Sequence, residues 1–457
     1  MKKTLGALRG YALEKGLQAH FSLHHEDSHL VRLANGSVSL NTTERVTTLS
    51  VKAFGVLRTA TATLVCDLKD DAAMRETIDK AAQMLAFASP LSFQPTLPDI
   101  PRESRHDAAY DGGLASISNE DMLGFINTAA GSLEDNDVTL GGSFSVGGTA
   151  RCCLSTASPH AVSWRLSDAQ ITLVLASAKD KWEINAEQSA ETLADLDAPA
   201  MNRRLAFLKI QYTSQKAVQL PLAPYRVVFG AAATAEYLNF LSWLGLYGTA
   251  VKRGYSIHKE EDTGKQVFSP KVTVTEGPGL KGGFALPADD HGRSRETKAW
   301  YDKGVLKGFI WHQAAADEYA QTATGHDLAH GSFALLPGDM DINSLEDLVK
   351  KPRETDILYV PYLHYTGVVS PSEGLITGTS RFGALLLRKD GSIEVPYNVR
   401  FTEKLEDIFG GKLAWLSSES QPYNTSNTYE SRNPEALVVP KLMCCDGVKV
   451  EISNKSY

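Results

Sequence analysis

The residues with the most obvious chemical capacity are histidines and carboxylates in three clusters. His20, His24, His25 and His29 crowd the segment HFSLHHEDSH, and imidazole is the commonest metal ligand. On a strand, however, His20 and His24 share one face while His25 points to the other, and a metal needs converging ligands with a supporting outer shell. These four read as solvated strand histidines. In TGHDLAHG, His326 and His330 stand four apart, with Asp327 between them and His312 upstream. On a helix that spacing would set two imidazoles on one face. Gly325 and Gly331 bracket the segment so closely that it reads as a loop, in which the spacing loses its meaning. The third cluster, LPADDHGRSRE, combines Asp289, Asp290, His291, Arg293 and Arg295. Adjacent carboxylates can bind metal or share a proton, yet in a glycine-containing turn they read as a solvated, turn-forming group.

Cysteine offers no better site. Four of the five cysteines form the adjacent pairs Cys152–Cys153 and Cys444–Cys445. Neighbours on a strand face opposite ways and cannot grip one zinc as a C-x-x-C pair does, so they read as small core residues. No glycine-rich phosphate loop, nucleophile elbow or Ser-His-Asp pattern is present. One further stretch, YRVVFGAAATAEYLNFLSW at 225–243, has the form of an active-site framework without its reactive groups. A β-branched run leads directly into a helical pattern that buries Tyr237, Phe240, Leu241 and Leu244. The first turn of such a helix offers free N–H donors on a rigid platform. Here that turn is Ala231, Ala232, Ala233, and the helix's one ionisable group is Glu236.

The elements that must position these residues alternate between helices and extended runs. Helices are expected over 3–17, 71–88, 119–133 and 199–210, with extended runs at 19–25, 29–33, 46–54, 56–65 and across 138–187; Asn35-Gly36 marks a hairpin turn. The segment TSQKAVQLPLAP, at about 213–224, loses helical periodicity and carries two prolines, so two domains are expected, 1–218 and 219–457. Glycine turns, short β-rich runs and a helix at 344–350 follow. The fold class predicted is α+β, with large antiparallel sheets flanked by helices. A net charge of −8 provides no basic face to displace counterions from phosphates, so nucleic acid is not expected as a partner. The opening MKKTLGALRGYALEKG is interrupted by Arg9, Glu14 and Lys15 before a signal-peptide core can accumulate, and no apolar run reaches the about 18 residues of a membrane span. A cytoplasmic location without membrane association is expected.

The order of segments resembles the TldD/PmbA family, peptidase-related proteins historically called modulators of DNA gyrase, and most closely its PmbA or TldE branch. The resemblance rests on RLANGSVSL, ERVTTLSVKAFGVLRTATATLVCDL and the alanines at 81, 82, 86 and 88 in the first half. In the second half it rests on YRVVFGAAATAEYL, GYSIHKEEDTGKQVFSPKVTV, the DDHG turn, YDKGVLKGFIWHQAAADEYAQTATGH, SEGLITGTSRFGALLLRKDGSIEVPYNVRFTEKLEDIF and PEALVVPKLMCCDGVKVEI. Each motif is weak alone; their collinear order over the chain carries the assignment.

The resemblance implies a fold shared by two kinds of chain. TldD-like chains carry an HExxxH helix that binds zinc, with a cysteine near the C-terminus as a further ligand; PmbA-like chains keep the framework without it. Ala231 and Ala232 fall where the histidine and glutamate stand, and Glu236 where the second histidine stands. Cys444 and Cys445 lie in VVPKLMCCDG, not in the family's glycine-rich context, and His326 belongs to a TGH turn common in the PmbA branch. The expectation is therefore a non-catalytic subunit with no metal of its own. It would be joined to a TldD-like zinc peptidase subunit, with zinc in that partner, and would act on unfolded or extended peptides bound by strand addition. Isolated, the chain could form a homodimer. The alternatives are a stand-alone hydrolase using His312, His326 and His330 or Asp289 and Asp290, and a regulatory binding protein acting on a toxin–antitoxin or topoisomerase system without chemistry.

One binding segment is also predicted. LITGTSRFGALLLRKDG reads as a strand ending in a hairpin, with Gly378 and Gly383 flanking Arg381; glycine within a strand marks a bulge or the close approach of another backbone. Thr379, Ser380 and Arg381 are the expected contacts to peptide or partner, with the guanidinium pairing a carboxylate; a bulge with a solvated arginine is the alternative.

Overall fold

In the computed structural model, residues 1–284, 286–289, 291–327, 331–426 and 431–454 are described. The first half is built on one sheet. Gln18–Ala34 and Ser37–Gly55 form a long antiparallel hairpin through Asn35 and Gly36, both at positive φ, the conformation that makes Asn-Gly the preferred two-residue hairpin turn. Gln18–Ala34 also pairs with Thr139–Ser155, which pairs in turn with Ala161–Ser177. Along the far edge of Ala161–Ser177 lie Ser104–Ala109, parallel, and Trp182–Ala190, antiparallel. The sheet carries seven strands. Helices Lys2–Glu14 and Asp71–Phe87 bury Leu5, Leu8, Met74 and Ile78 against Phe21, Leu23, Leu49 and Val51, while Asn119–Ala130 and Ala198–Ser214 cover another part of it.

The second half contains two six-stranded sheets and one of four strands. At the centre of one six-stranded sheet is Pro224–Gly230, parallel to Ile357–Val360 on one side and antiparallel to Leu442–Lys449 on the other. Chain segments pass between sheets at two adjacent places. Ile357–Val360 belongs to the six-stranded sheet, and after Pro361 the chain continues as Tyr362–Ser370 in the four-stranded one. Leu375–Arg381 pairs with Tyr362–Ser370, and beyond Phe382 and Gly383 the chain returns as Leu385–Leu387 to the six-stranded sheet. The run expected as one strand is thus two strands in different sheets, because Phe382 (φ 60°) and Gly383 (φ 108°) turn the backbone through the left-handed region.

The α+β class expected from the sequence is the architecture found, with antiparallel pairing dominant and parallel pairs at a few positions. The hydrophobic core runs across both halves: Phe144, Ile171 and Leu205 share a cluster with Val228, Tyr359, Leu385 and Cys444. The segment between them is also held, Val218 exchanging backbone hydrogen bonds with Val395 and Tyr397. Among the described residues no helix is long and apolar enough to cross a membrane.

Candidate functional site

The predicted strand-to-helix junction is real. Pro224–Gly230 leads without a loop into helix Ala231–Leu241, here called the junction helix, which ends in a π-helical turn at Ser242–Leu246. Gly230 caps the helix with no side chain, and a Cβ there would be tightly placed, 3.0 Å from Pro361 Cα and 3.2 Å from Tyr359 Oη. Among the first-turn amides, Ala233 N–H donates to the Pro361 carbonyl at 3.2 Å; those of Ala231 and Ala232 have no intrahelical acceptor.

Ala231 and Ala232 face a cavity of about 1010 Å³ that the two halves enclose together. Strand Trp182–Ala190 and helix Ala198–Ser214 form the wall from the first half. The junction, Tyr359 and strand Ser420–Asn424 form the wall from the second. Arg204 reaches in from its helix and donates through Nη2 to Tyr359 Oη at 3.1 Å. No carboxylate lies within ion-pair distance of this guanidinium among the described residues. Glu187 faces the same space and accepts no hydrogen bond there. It keeps some open surface toward the cavity but is enclosed by protein around it, and burial pushes its carboxyl from the usual 4.5 up to about 7; Arg204 opposes the rise and Glu236 adds to it. Glu236 lies one turn along the junction helix, accepts from Thr366 Oγ1 at 3.1 Å, and is also raised by burial. Tyr423 Oη donates to Tyr362 Oη at 3.4 Å, and burial raises both phenols, with Glu187 and Glu236 contributing.

The donor set does not fit zinc. The two positions nearest the cavity are methyl groups, and Glu236 is a single carboxylate already engaged by Thr366; zinc sites use three or four side-chain ligands. Cys444 and Cys445 are both fully buried on adjacent positions of one strand and face opposite ways. Those two cysteines point into separate core clusters, as do Cys152 and Cys153.

The remaining sequence candidates are scattered. His20 is buried and stacks on His291, centroids 5.8 Å apart, while His25 and His29 bond Thr47 and Thr43 on the neighbouring strand. The expectation of solvated strand histidines therefore fails for His20. His312 serves as a helix N-cap: its Nδ1 accepts the Ala315 N–H at 3.4 Å, and Nε2 is 2.9 Å from Tyr247 Oη. His326 is buried with Nδ1 2.8 Å from Glu276, whose carboxylate also receives Trp300 Nε1 and Arg295. His330 and Asp290 lie outside the described residues. Asp289 makes the expected turn, accepting the N–H groups of His291 and Arg293. It is buried rather than solvated, and burial pushes its carboxyl up to about 6.

Thr379, Ser380 and Arg381 do not form one lining. Ser380 is fully buried and its Oγ accepts the Val399 N–H at 2.9 Å, so it cannot face a peptide; on a strand it points away from its two neighbours. Thr379 Oγ1 is buried without a hydrogen-bond partner. Arg381 is partly exposed but not free: it meets Glu183 at 2.6 and 3.0 Å and His364 Nδ1 at 3.1 Å. The carboxylate it pairs in this structure belongs to the same chain.

The sequence model of the PmbA/TldA metallopeptidase C-terminal domain matches residues 223–451, half of the chain, and the match includes the junction helix. The chain belongs to the PmbA/TldD family. Its fold is that of three solved structures of low sequence identity. TldE from Thermococcus kodakarensis is 16% identical with a TM-score of 0.79, covering 98% of this chain and 99% of that one. A candidate modulator of a DNA gyrase from Thermotoga maritima MSB8 is 16% identical, TM-score 0.74, with the same coverage. Another from Bacteroides thetaiotaomicron VPI-5482 is 17% identical, TM-score 0.76, covering 98% of each chain. No curated protein matches the chain. Within this PmbA/TldD chain, sequence reasoning located Ala231, Ala232 and Glu236 but missed Glu187, Arg204, Tyr359, Tyr362 and Tyr423. These come from four separate stretches of sequence, Tyr359 and Tyr362 sharing one, and form no recognised motif.

Proposed function

We propose that this PmbA/TldD chain is the non-catalytic, TldE-like subunit of a two-chain peptidase, and that its cavity receives an extended peptide. The observation that carries the reading is the pair Ala231 and Ala232 at the cavity end of the junction helix, where the family's zinc-binding chains present ligands. Hydrolysis is then assigned to a partner carrying HExxxH, whose zinc would polarise the scissile carbonyl and activate water.

This chain's own contribution is to hold peptide. Two strands on the cavity wall have an unpaired edge among the described residues: Trp182–Ala190, bonded on one side to Ala161–Ser177, and Ser420–Asn424, bonded on one side to Ala436–Pro440. Pro422 within the latter fits an edge strand, which can forgo one ladder donor. An edge facing an enclosed space can add a peptide strand through backbone hydrogen bonds and so tolerate varied side chains. His312 caps a helix and His326 stands against Glu276, and among the described residues no group of three or more His, Cys, Asp or Glu side chains is placed to hold a metal for a stand-alone hydrolase.

The test uses the chain purified without chelator, alone and mixed with a TldD-like chain, on an unfolded peptide. The expected result is no stoichiometric zinc in this chain, hydrolysis by the mixture faster than by the partner alone, and co-elution of the two. Chelator-sensitive hydrolysis by this chain alone would overturn the proposal.

A further inference from the structure

The cavity contains a guanidinium with no direct ion pair among the described residues beside a helix N-terminus; the carboxylates of Glu187 and Glu346 line the same space and act on it only through the field. Arg204 donates one side-chain hydrogen bond, to the neutral phenol of Tyr359, and lines the cavity together with Ala231 and Ala232. A guanidinium enclosed by protein loses hydration that only a counter-charge restores, and four of its five N–H donors remain for a ligand. Tyr359 Oη, which Arg204 holds at 3.1 Å, stands 3.2 Å from the position a Cβ would take on Gly230. The guanidinium is therefore about two hydrogen-bond lengths from the N-cap of the junction helix. The amides of Ala231 and Ala232 have no intrahelical acceptor, and alanine side chains leave the approach to them clear. Planar guanidinium and helix N-terminal amides share a preferred ligand, a carboxylate or another oxyanion.

We propose that Arg204 and the first turn of the junction helix bind the free C-terminal carboxylate of the peptide held in the cavity. The proposal rests on the peptide-holding function above and specifies which end of the peptide the cavity takes. The site accepts a chain terminus rather than a side-chain carboxylate because the cavity wall has strand edges for the preceding backbone, at Asn185–Ser189 and Ser420–Asn424. Glu187 and Glu346 share the space. Glu187 accepts no hydrogen bond, and in its neutral form it supplies an O–H that can donate to the same carboxylate.

The experiment measures fluorescence anisotropy at pH 6.5 for an unstructured peptide labelled at its N-terminus, prepared with a free C-terminal carboxylate and as the C-terminal amide. With the full chain, the amide should bind roughly ten-fold or more weakly, the effect of losing a charge-assisted pair. Arg204→Gln should weaken the acid form to the level of the amide and leave the amide unchanged. Tyr359→Phe, which removes the hydroxyl holding the guanidinium, should reduce the discrimination and keeps the test available if Arg204→Gln fails to fold. Equal affinity of acid and amide for the unaltered chain overturns this inference while leaving peptide binding in place. Discrimination that survives in both variants also overturns it. Failure of either peptide to bind overturns the peptide-holding function and this inference together.

Discussion

Replacing Glu187 by glutamine should stabilise the protein at alkaline pH and change it little under acid. Its carboxyl ionises near 4.5 in an unfolded chain and near 7 in the native one, because the cavity wall strips water from the charged form. An acid whose native pKa is raised contributes stability that is fully present below about pH 4.5 and is lost as pH rises through about 7. Each pH unit of difference is worth about 1.36 kcal/mol, so the native state carries a penalty of about 3 kcal/mol above pH 8 and under about 1 kcal/mol at pH 5. Glutamine has nearly the same shape and never ionises. Urea unfolding followed by tryptophan fluorescence, for both proteins at pH 5 and pH 8, should therefore give a stabilisation by Glu187→Gln that grows by about 2 kcal/mol between the two conditions. Other raised groups, including Glu435 at about 8, titrate in both proteins and cancel in the comparison. An equal effect at the two pH values would refute the argument that Glu187 is held in a desolvated cavity wall.

Two further outcomes follow from charged pairs in different surroundings. Arg432 and Asp168 are almost fully buried with contacts of 2.6 and 2.9 Å, so Arg432→Met, which strands the carboxylate, should cost about 3–5 kcal/mol. Most of that should return in the double variant Arg432→Met/Asp168→Leu; single and double variants of equal urea midpoint would refute the pairing argument. Arg381 and Glu183 are each about a third or more exposed, so Arg381→Ala should change stability by under about 1 kcal/mol. Affinity for a TldD-like chain, measured on the same variant, then reports whether Arg381 also contacts that partner; a large stability loss would contradict the solvent-screened reading.

Local chemistry made much of the fold legible in the sequence. Asn35-Gly36 demanded a tight hairpin and forms one, and the apolar spacing after Tyr225 placed a strand and a helix in direct succession. What periodicity could not show is where the chain leaves one sheet for another. Leu375 to Leu387 reads as one strand interrupted by Arg381, and the break at Phe382 depends on a non-glycine residue at φ 60°, which surrounding packing imposes and propensity does not announce. Asp289 and His20 are ordinary surface residue types in turn and strand patterns; their burial comes from packing of residues 286–289 and His291 on the first-half sheet, where Leu286 and Ala288 join Trp164 and Val162 and His291 stacks on His20. His312 was read for its ligand chemistry but is used for a helix cap. The cavity was least legible, since its charged residues stand far apart in sequence and only tertiary packing brings them together.

That packing also explains how a site shared by two halves can be held in place. The helix carrying Arg204 is fixed to the second half at successive turns. Arg204 bonds Tyr359 at 3.1 Å, Leu208 lies 3.0 Å from the position of a Cβ on Gly383, and Tyr212 Oη donates to the Ala384 carbonyl at 2.8 Å. Gly383 has φ 108° and no room for a side chain, so the sheet switch beside it and the helix above it constrain one another. On the other element of the first-half wall, Arg381 ties the same switch to Glu183 near the start of the strand bearing Glu187. The crossing from one sheet to the other is thus the point at which both elements of the first-half wall are attached. The charged cavity beside Ala231 and Ala232 is held in this way by residues that also pack the core between the two halves.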